Sequence, residues 1–353
     1  VFYQEAVMQL QSAKAVHEAV SIPVLTHGRL SNYEKASAAL RDGICDFTVI
    51  GRGLIADPEM PNKLAEGRPE DILPCISCNE GCIGNVLKGQ HLACAINPYA
   101  GFEDERRVPV AEKSKRVLVV GGGPGGCTAA LLAKQAGHEV ELWERSGTIG
   151  GKTLAASAPY MKADMHRLPN YYNVQLIKAG IPVRFFKEAN RETVGEFRPD
   201  VLIWAAGGDV VRPKSIPGLD RSNVYSCEEA LRNFVPLGKH LAIIGGGQVG
   251  IEAAIHFNTV GHEVTVVEMA DKLMPDPPFI QNENILRELM AAGTGEYLTG
   301  TKLVEVDETG IVVETAEGKK HINCDTVLLA MGWAPDAQRG EELSDICRVI
   351  PIG

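Results

Sequence analysis

Residues Arg116–Glu144 read RVLVVGGGPGGCTAALLAKQAGHEVELWE: an apolar run, a glycine-rich turn, an alanine-rich helix pattern and a second apolar run. The stretch His240–Glu268, HLAIIGGGQVGIEAAIHFNTVGHEVTVVE, aligns with it without gaps and is identical at 11 of 29 positions. Each copy is followed by a second match, DVLIWAAG at 200–207 and DTVLLAMG at 325–332. The sequence therefore predicts an internal duplication of a strand, turn, helix and strand, which is typical of α/β folds with parallel sheets.

Both glycine-rich turns have the spacing GxGxxG. The first glycine allows a tight turn, the second lets the backbone approach a pyrophosphate, and the third allows the helix to pack closely on the strand. An acid follows 18 residues after each third glycine, where it would bind ribose hydroxyls. A single GxGxxG also occurs in packing turns, but two copies with their acids predict two dinucleotide sites, one for a flavin and one for a nicotinamide. The predicted residues are Gly121, Gly123, Gly126 and Glu144 in the first copy, and Gly245, Gly247, Gly250 and Glu268 in the second.

Length and charge limit the class of protein. A chain of 353 residues predicts two or three domains. The 35 Lys and Arg against 45 Asp and Glu give a net charge of −10, which argues against a nucleic-acid partner. The apolar runs are shorter than the roughly 18 residues needed to cross a bilayer, so no membrane partner is expected. We expect a soluble, cytoplasmic protein, with a homo-oligomer left open.

Four of the nine cysteines lie close together in the sequence. Their spacing, C-x2-C-x3-C-x11-C, is tighter than the two separated pairs of a zinc ribbon. Four thiolates are what a [4Fe–4S] cluster requires, whereas a four-thiolate zinc site and disulfides are the alternatives. The predicted metal ligands are Cys75, Cys78, Cys82 and Cys94. The other five are interpreted as inert buried thiols; they are Cys45, Cys127, Cys227, Cys324 and Cys347.

The N-terminal region alternates apolar runs with helical patterns, which favours a parallel sheet. THGRL at 26–30 and IGRG at 50–53 each place a Gly-Arg pair at the end of an apolar run, with a helix predicted over Tyr33–Arg41 between them. Barrel enzymes often bind phosphate with the loops after strands seven and eight. The alternative is a pair of ordinary strand-to-loop turns with solvated arginines.

The order of these motifs resembles that of one family. The two Gly-Arg pairs are followed by DPEMPNKLAEGRPEDILPCISCNEGC at 57–82, VVGGGPGG at 119–126 and IIGGGQVG at 243–250. This order resembles the iron–sulfur flavoenzymes of the NADH:flavin oxidoreductase family, the relatives of 2,4-dienoyl-CoA reductase, enoate reductase and trimethylamine dehydrogenase. The resemblance implies an Old Yellow Enzyme-like (β/α)8 TIM barrel that carries FMN. We expect only its last two strand–helix units here and interpret the chain as a fragment that lacks most of the barrel.

The resemblance also implies a fold class, α/β, with three kinds of part: the C-terminal end of a (β/α)8 barrel, a cysteine-rich cluster segment and two Rossmann-like dinucleotide-binding domains. The implied boundaries are 1–73 for the barrel end with the FMN phosphate site and 74–112 for the cluster segment and linker. They are 113–236 for the FAD-binding domain, 237–333 for the NAD(P)H-binding domain and 334–353 for a truncated return to the FAD domain.

Site residues follow from the resemblance. Gly28, Arg29, Gly51 and Arg52 would contact the FMN phosphate. The first glycine-rich turn would bind FAD together with Gly151, Lys152, Ala206 and Gly207, and the second would bind the nicotinamide cofactor. Glu268 favours NADH over NADPH, because a carboxylate accepts hydrogen bonds from both ribose hydroxyls and repels a 2′-phosphate. A Glu268 that merely points into solvent is the alternative. The catalytic residues that protonate or orient the substrate are expected earlier in the barrel.

The function implied is transfer of electrons from NADH through FAD and a [4Fe–4S] cluster to FMN, which reduces an activated C=C bond. The expected partner is a small unsaturated molecule, namely an enoate, an enoyl-CoA or an enone. One alternative is an amine dehydrogenase of the trimethylamine dehydrogenase type, which the complete second GxGxxG with Glu268 disfavours. Another is a non-catalytic electron-transfer or scaffold module with a structural zinc.

Overall fold

Each of the two sequence repeats supplies three strands of a five-stranded parallel β-sheet. The computed structural model describes residues 8–274 and 280–352, which divide into two compact units. The first unit contains residues up to 153, 164–205 and 343–352, and the second contains 154–163 and 206–342. The prediction of an α/β chain with Rossmann-like parallel sheets is confirmed.

The sheet of the first unit is built around the strand of the first repeat. Its core side chains Leu118, Val119, Leu142 and Leu202 are fully buried, as expected for strands covered on both faces. All five strands are parallel. In spatial order they are Arg348–Pro351, Val201–Trp204, Arg116–Val120, Glu139–Trp143 and Val183–Arg184.

The sheet of the second unit repeats this plan. Leu241, Ile243, Val266 and Leu328 are fully buried in its core. Its parallel strands, in spatial order, are Glu296–Leu298, Glu263–Val267, His240–Ile244, Thr326–Leu329 and Val224–Ser226. The strand Val224–Ser226 pairs within this sheet, although it lies in the range 113–236 that is predicted for the FAD-binding domain. The domain boundaries stay a prediction.

Two smaller antiparallel sheets complete the second unit. The three-stranded sheet contains Lys302–Val306, Gly310–Thr315 and Gly318–Asn323. Leu303, Val306, Ile311 and Val313 of this sheet are buried in one apolar cluster with Ala242 and Val327 of the parallel sheet. The other sheet pairs Trp333–Pro335 with Gly208–Val210.

The N-terminal region contributes a short parallel pair, Leu25–Thr26 with Phe47–Thr48. The helix Tyr33–Arg41 between them has the predicted bounds, because the Asn32 side chain accepts hydrogen bonds from two backbone N–H groups of its first turn. Apolar side chains of this region remain outside the core: Leu25 is 61% exposed and Phe47 is 56% exposed. The barrel to which these strands are assigned stays a prediction.

The helices flank these sheets and follow the glycine-rich turns. Within residues 8–274 and 280–352, no helix combines the length and the apolar character needed to cross a bilayer. The α-helices of the first unit are Met8–Ala19, Tyr33–Arg41, Arg52–Ala56, Met60–Ala65, Asn85–Leu87, Pro124–Gln135, Arg167–Lys178 and Arg191–Phe197. Those of the second unit are Cys227–Leu231, Gln248–Thr259, Ile280–Ala292 and Ala337–Glu341. In the helix Lys152–Ala156, residues 152 and 153 belong to the first unit and residues 154–156 belong to the second.

The third glycine of each repeat lies against the carbonyl of the first glycine. A Cβ added to Gly126 would lie 1.9 Å from the oxygen of Gly121, and a Cβ added to Gly250 would lie 1.9 Å from the oxygen of Gly245. Both contacts are with backbone, so neither can be relieved by turning a side chain. The helix can therefore approach its strand only if a glycine stands at these positions.

We predict that Gly126→Ala destabilises the first unit by about 1–3 kcal/mol, the usual cost of overpacking a core. Gly125→Ala is the matched control, because within the described part of the chain a Cβ on Gly125 meets only Ile352 Cδ1 at 4.0 Å. The control should change the free energy of unfolding by less than about 0.5 kcal/mol. Thermal unfolding followed by circular dichroism measures both. Equal midpoints for the two variants would contradict the close-packing argument.

Candidate functional site

The first glycine-rich turn leaves open space beside the N-terminus of a helix. Gly121, with φ +107°, makes the turn out of the strand, and the helix Pro124–Gln135 starts directly after Gly123. Among residues 8–274 and 280–352, no atom lies within 4 Å of a Cβ added to Gly123, so the space it would fill is accessible to a ligand. No side chain in the described part of the chain caps this helix. Its first N–H groups are therefore suited to bind a phosphate.

Glu144 ties this turn to the end of the next strand. Its Oε2 accepts a hydrogen bond from the Gly122 N–H at 2.6 Å, and its Oε1 accepts one from the Ser146 N–H at 2.7 Å. The residue is 8% exposed. An ionised carboxylate has about four acceptor positions, so two remain for ribose hydroxyls. The residues present thus fit the adenosine half of a dinucleotide.

A second backbone segment packs against the same turn. The Gly150 N–H donates to the Gly122 carbonyl at 2.8 Å, and a Cβ on Gly151 would lie 3.0 Å from Gly123 Cα. Lys152 is half-buried and begins the next helix. The structure therefore brings together six of the eight residues predicted for FAD. The other two, Ala206 and Gly207, belong to the second unit, where the Gly207 carbonyl accepts a hydrogen bond from the Asp336 N–H.

The second glycine-rich turn repeats the first. The Gly245 φ is +114°, and a Cβ on Gly247 would again meet no atom of the described residues within 4 Å. Glu268 Oε2 accepts from the Gly246 N–H at 2.6 Å, and Oε1 accepts from the Ala270 N–H at 2.7 Å. The alternative of a Glu268 that merely points into solvent is therefore wrong. Its ribose contact stays a prediction.

The four predicted ligands line one cavity of the first unit. Cys75, Cys78, Cys82 and Cys94 surround about 300 Å³ of empty space, part of it open to solvent. The Ala93 N–H donates to the Gly81 carbonyl at 2.7 Å and joins the two cysteine-bearing segments, and a Cβ on Gly81 would lie 2.8 Å from the Ala93 carbonyl, so a glycine is needed for this approach. The remaining lining residues are Arg52, Ile55, Ile76, Asn79, Gly81, Ala95 and Ile96.

The cavity disfavours free thiolates. Burial raises the pKa of Cys75, and it raises the pKa of Cys78 to about 12, so both thiols stay protonated at neutral pH without a metal. The donor set, four sulfurs with apolar walls, fits an iron–sulfur cluster. Across the described ranges, no three His, Cys, Asp or Glu side chains are grouped as a site for a single metal ion. The alternative, a four-thiolate zinc site, needs all four sulfurs at one ion, and the positions of the cysteines do not support it.

Neither predicted FMN-phosphate arginine is solvated. Arg29, whose side chain is 9% exposed, forms an ion pair with Asp164, and Asp164 also accepts a hydrogen bond from Ser77 Oγ at 2.8 Å. Arg52 is half-buried and donates to Asn79 Oδ1. The alternative of ordinary turns with solvated arginines is therefore wrong. Gly28 and Gly51 stand directly before these arginines, and the phosphate contact of all four residues stays a prediction.

Sequence reasoning missed several partners in these sites. Asp164 and Asn79 became visible only as the long-range partners of Arg29 and Arg52. In the second unit, Lys162 Nζ lies 2.7 Å from Glu252 Oε2, with both side chains under 10% exposed. Glu252 lies two residues after Gly250, a position within the repeat that could have directed attention to it. The pair attaches the segment 154–163 to the helix that follows the second glycine-rich turn.

Two parallel-sheet folds, each with an open glycine-rich turn and an acid tied to it, define a protein that binds two dinucleotides. The chain belongs to the pyridine nucleotide-disulphide oxidoreductase family, whose profile matches residues 115–344. This membership confirms the predicted class, the NAD(P)H-dependent flavin oxidoreductases, and implies FAD.

Three proteins that are similar to this chain are named as reductases. Bilirubin reductase of Mediterraneibacter gnavus is 35% identical over 94% of this chain and 52% of its own length. Cinnamate reductase of Clostridium sporogenes is 33% identical over 94% of this chain and 50% of its own. The structure of a 2-naphthoyl-CoA reductase complex superimposes with a TM-score of 0.94 at 32% identity, covering 100% of this chain and 54% of that one. The chain thus spans about half the length of the curated relatives it matches.

We predict that Asp164→Asn lowers the free energy of unfolding at pH 7 by about 3 kcal/mol, since it removes the carboxylate from a buried guanidinium. Burial by itself would raise the pKa of Asp164, but the hydrogen bond and charge of Arg29, with the hydroxyl of Ser77, lower it overall. The folded-state pKa then lies below the unfolded value of about 3.9. The stability due to Asp164 is present above that value and is lost as the pH falls through the folded-state pKa.

Urea unfolding of wild type and variant from pH 7 to pH 3 measures this difference. Asp345→Asn is the control, because it removes an exposed carboxylate that pairs with Arg191 and should have little effect. A difference that stays constant down to pH 3 would show that the Asp164 charge is not responsible.

Proposed function

We propose that this chain is the electron-input part of a flavin- and iron–sulfur-dependent oxidoreductase. When bound, FAD, a [4Fe–4S] cluster and FMN would supply a route for electrons from NADH to an activated C=C bond. The observation that carries the proposal is that all four motif cysteines line one cavity, beside the Arg52 of a Gly-Arg turn. A thiolate-lined cavity next to a phosphate-type turn is expected where a cluster lies between two flavins.

The residues of the chain have separate tasks in this proposal. The open N–H groups after Gly123 and Gly247 bind pyrophosphates, and Glu144 and Glu268 orient the riboses. Apolar residues such as Ile55, Ile76 and Ile96 keep water from the cysteine cavity. The Lys162–Glu252 pair holds the helix of the nicotinamide repeat in position.

The substrate class is proposed from the relatives. One is named for the reduction of cinnamate, an α,β-unsaturated carboxylate, and a solved structure for that of a naphthoyl thioester. Both contain a C=C bond conjugated with a carbonyl group, which a flavin can reduce by hydride transfer. We therefore propose a small enoate, enoyl thioester or enone as the substrate of the whole protein.

Iron analysis tests the cluster. Protein purified without oxygen should contain about four irons per chain and a broad brown absorbance that dithionite bleaches. Cys78→Ser should lose most of the iron, because three thiolates leave one metal site open. Cys347→Ser is the control: this cysteine is half-buried but does not line the cavity, and its iron content should equal that of the wild type. Stoichiometric zinc without iron would contradict the proposal and support the scaffold alternative.

Cofactor choice tests the nicotinamide repeat. Flavin reduction by NADH should be faster than by NADPH, and Glu268→Ser should reduce the ratio of the two kcat/KM values roughly 10- to 100-fold, because hydrogen bonds to a charged group contribute about 1.5–3 kcal/mol. Lys272, the nearest cation after Glu268 in sequence, is exposed. Glu263→Ser, at the other end of the same strand, should leave the ratio unchanged. A wild type that prefers NADPH, or an unchanged ratio in Glu268→Ser, would remove Glu268 from the site. A protein reduced by neither cofactor would favour the amine dehydrogenase alternative.

A further inference from the structure

We propose that the side-chain amide of Asn79 donates a hydrogen bond to a sulfur of the cluster and thereby raises its reduction potential. The proposal rests on the iron–sulfur assignment of the proposed function. It concerns a residue between Cys78 and Cys82 that is not a ligand but lines the same cavity. Asn79 would thus adjust the reduction potential of the cluster without being one of its ligands.

The amide of Asn79 is buried and has a donor without an acceptor. The residue is 1% exposed, and Nδ2 is one of the few buried side-chain nitrogens that find no hydrogen-bond partner within the described ranges. A buried N–H group without an acceptor is costly, and native structures rarely keep one without a reason. Since Asn79 borders the four sulfurs, a sulfur acceptor within the cavity accounts for the unused donor.

Arg52, which lines the same cavity, fixes the orientation of the Asn79 amide. Its guanidinium donates to Asn79 Oδ1, and a guanidinium can only donate, so the oxygen must face Arg52. Nδ2 then points away from Arg52, and it can donate to a different acceptor. The backbone supports this placement, because Asn79 has φ +63°, a left-handed conformation that asparagine tolerates better than most residues.

A backbone donor already contacts one of the sulfurs. The Ser77 N–H lies 3.4 Å from Cys75 Sγ. Hydrogen bonds to sulfur stabilise the more negative, reduced form of a cluster and so raise its potential. Asn79 would add a side-chain donor, and unlike the backbone donor it can be removed by mutation.

The test compares midpoint potentials, measured by EPR-monitored redox titration of the full chain purified without oxygen. Asn79→Leu removes the donor without adding charge. Asn79→Asp keeps the size, the left-handed conformation and the bond from Arg52, but it turns the donor into an acceptor. Each should lower the reduced-to-oxidised ratio at fixed potential about tenfold, which is about 59 mV for one electron. The iron content should stay at the wild-type value.

Asn85→Asp is the matched control. It adds the same charge three residues after Cys82, but its amide donates to the His91 carbonyl at 3.0 Å and it does not line the cavity. Its potential should differ from the wild type by much less than that of Asn79→Asp. Arg52→Lys keeps the positive charge while removing the planar donor that orients Asn79, so it should also lower the potential.

The outcomes separate this proposal from the proposed function. A wild type without iron overturns both. Wild-type potentials in iron-loaded Asn79→Leu and Asn79→Asp overturn only the role of Asn79, as does a lowered potential in the Asp variant alone, which would be an effect of charge. If both variants lose iron, the hydrogen bond is tested instead in wild-type protein labelled with ¹⁵N in its asparagine side chains. Pulsed EPR of its reduced cluster should show coupling to a labelled nitrogen, and no coupling overturns the proposal.

Discussion

The contact on which both nucleotide folds depend is that between the third glycine of each turn and the carbonyl of the first. With no Cβ on Gly126 or Gly250, the helix starts close above its strand, and its first N–H groups face open space. That approach also places the residue between the first and second motif glycines, Gly122 or Gly246, where Glu144 or Glu268 can accept its N–H. The carboxylate that would orient a ribose is thus part of the structure that shapes the phosphate site.

The cysteine cavity depends on a different constraint, the cost of burying thiolates. Burial keeps the pKa of Cys75 and Cys78 high, so their thiolates would become favourable if a metal were bound. The surrounding polar residues are joined in pairs rather than solvated, Arg52 with Asn79 and Arg29 with Asp164. Because Asp164 also contacts Ser77, its side chain connects the Gly-Arg turn of Arg29 to the cysteine segment.

The parts of the structure that sequence could predict are those in which spacing determines geometry. Two GxGxxG turns with acids 18 residues later predicted both sheets, and the helix Tyr33–Arg41 has its predicted bounds because its Asn32 cap is local. The pairs Arg29–Asp164 and Lys162–Glu252 join residues 135 and 90 positions apart. No local pattern encodes such contacts, so the arginines could be read as solvated until the structure placed their partners.

The two repeats also differ where they should if they bind different nucleotides. In the first, the Gly150 N–H donates to the Gly122 carbonyl; in the second, the equivalent donor to Gly246 is Met274, which is buried. Gly150 has φ +127°, a conformation that L side chains rarely adopt, and Gly151 follows it against Gly123. A segment of two glycines lets a second set of N–H groups approach a pyrophosphate, whereas the second repeat carries a buried methionine at the position of Gly150. This difference favours the first repeat for the tightly held flavin and the second for a nicotinamide that must exchange.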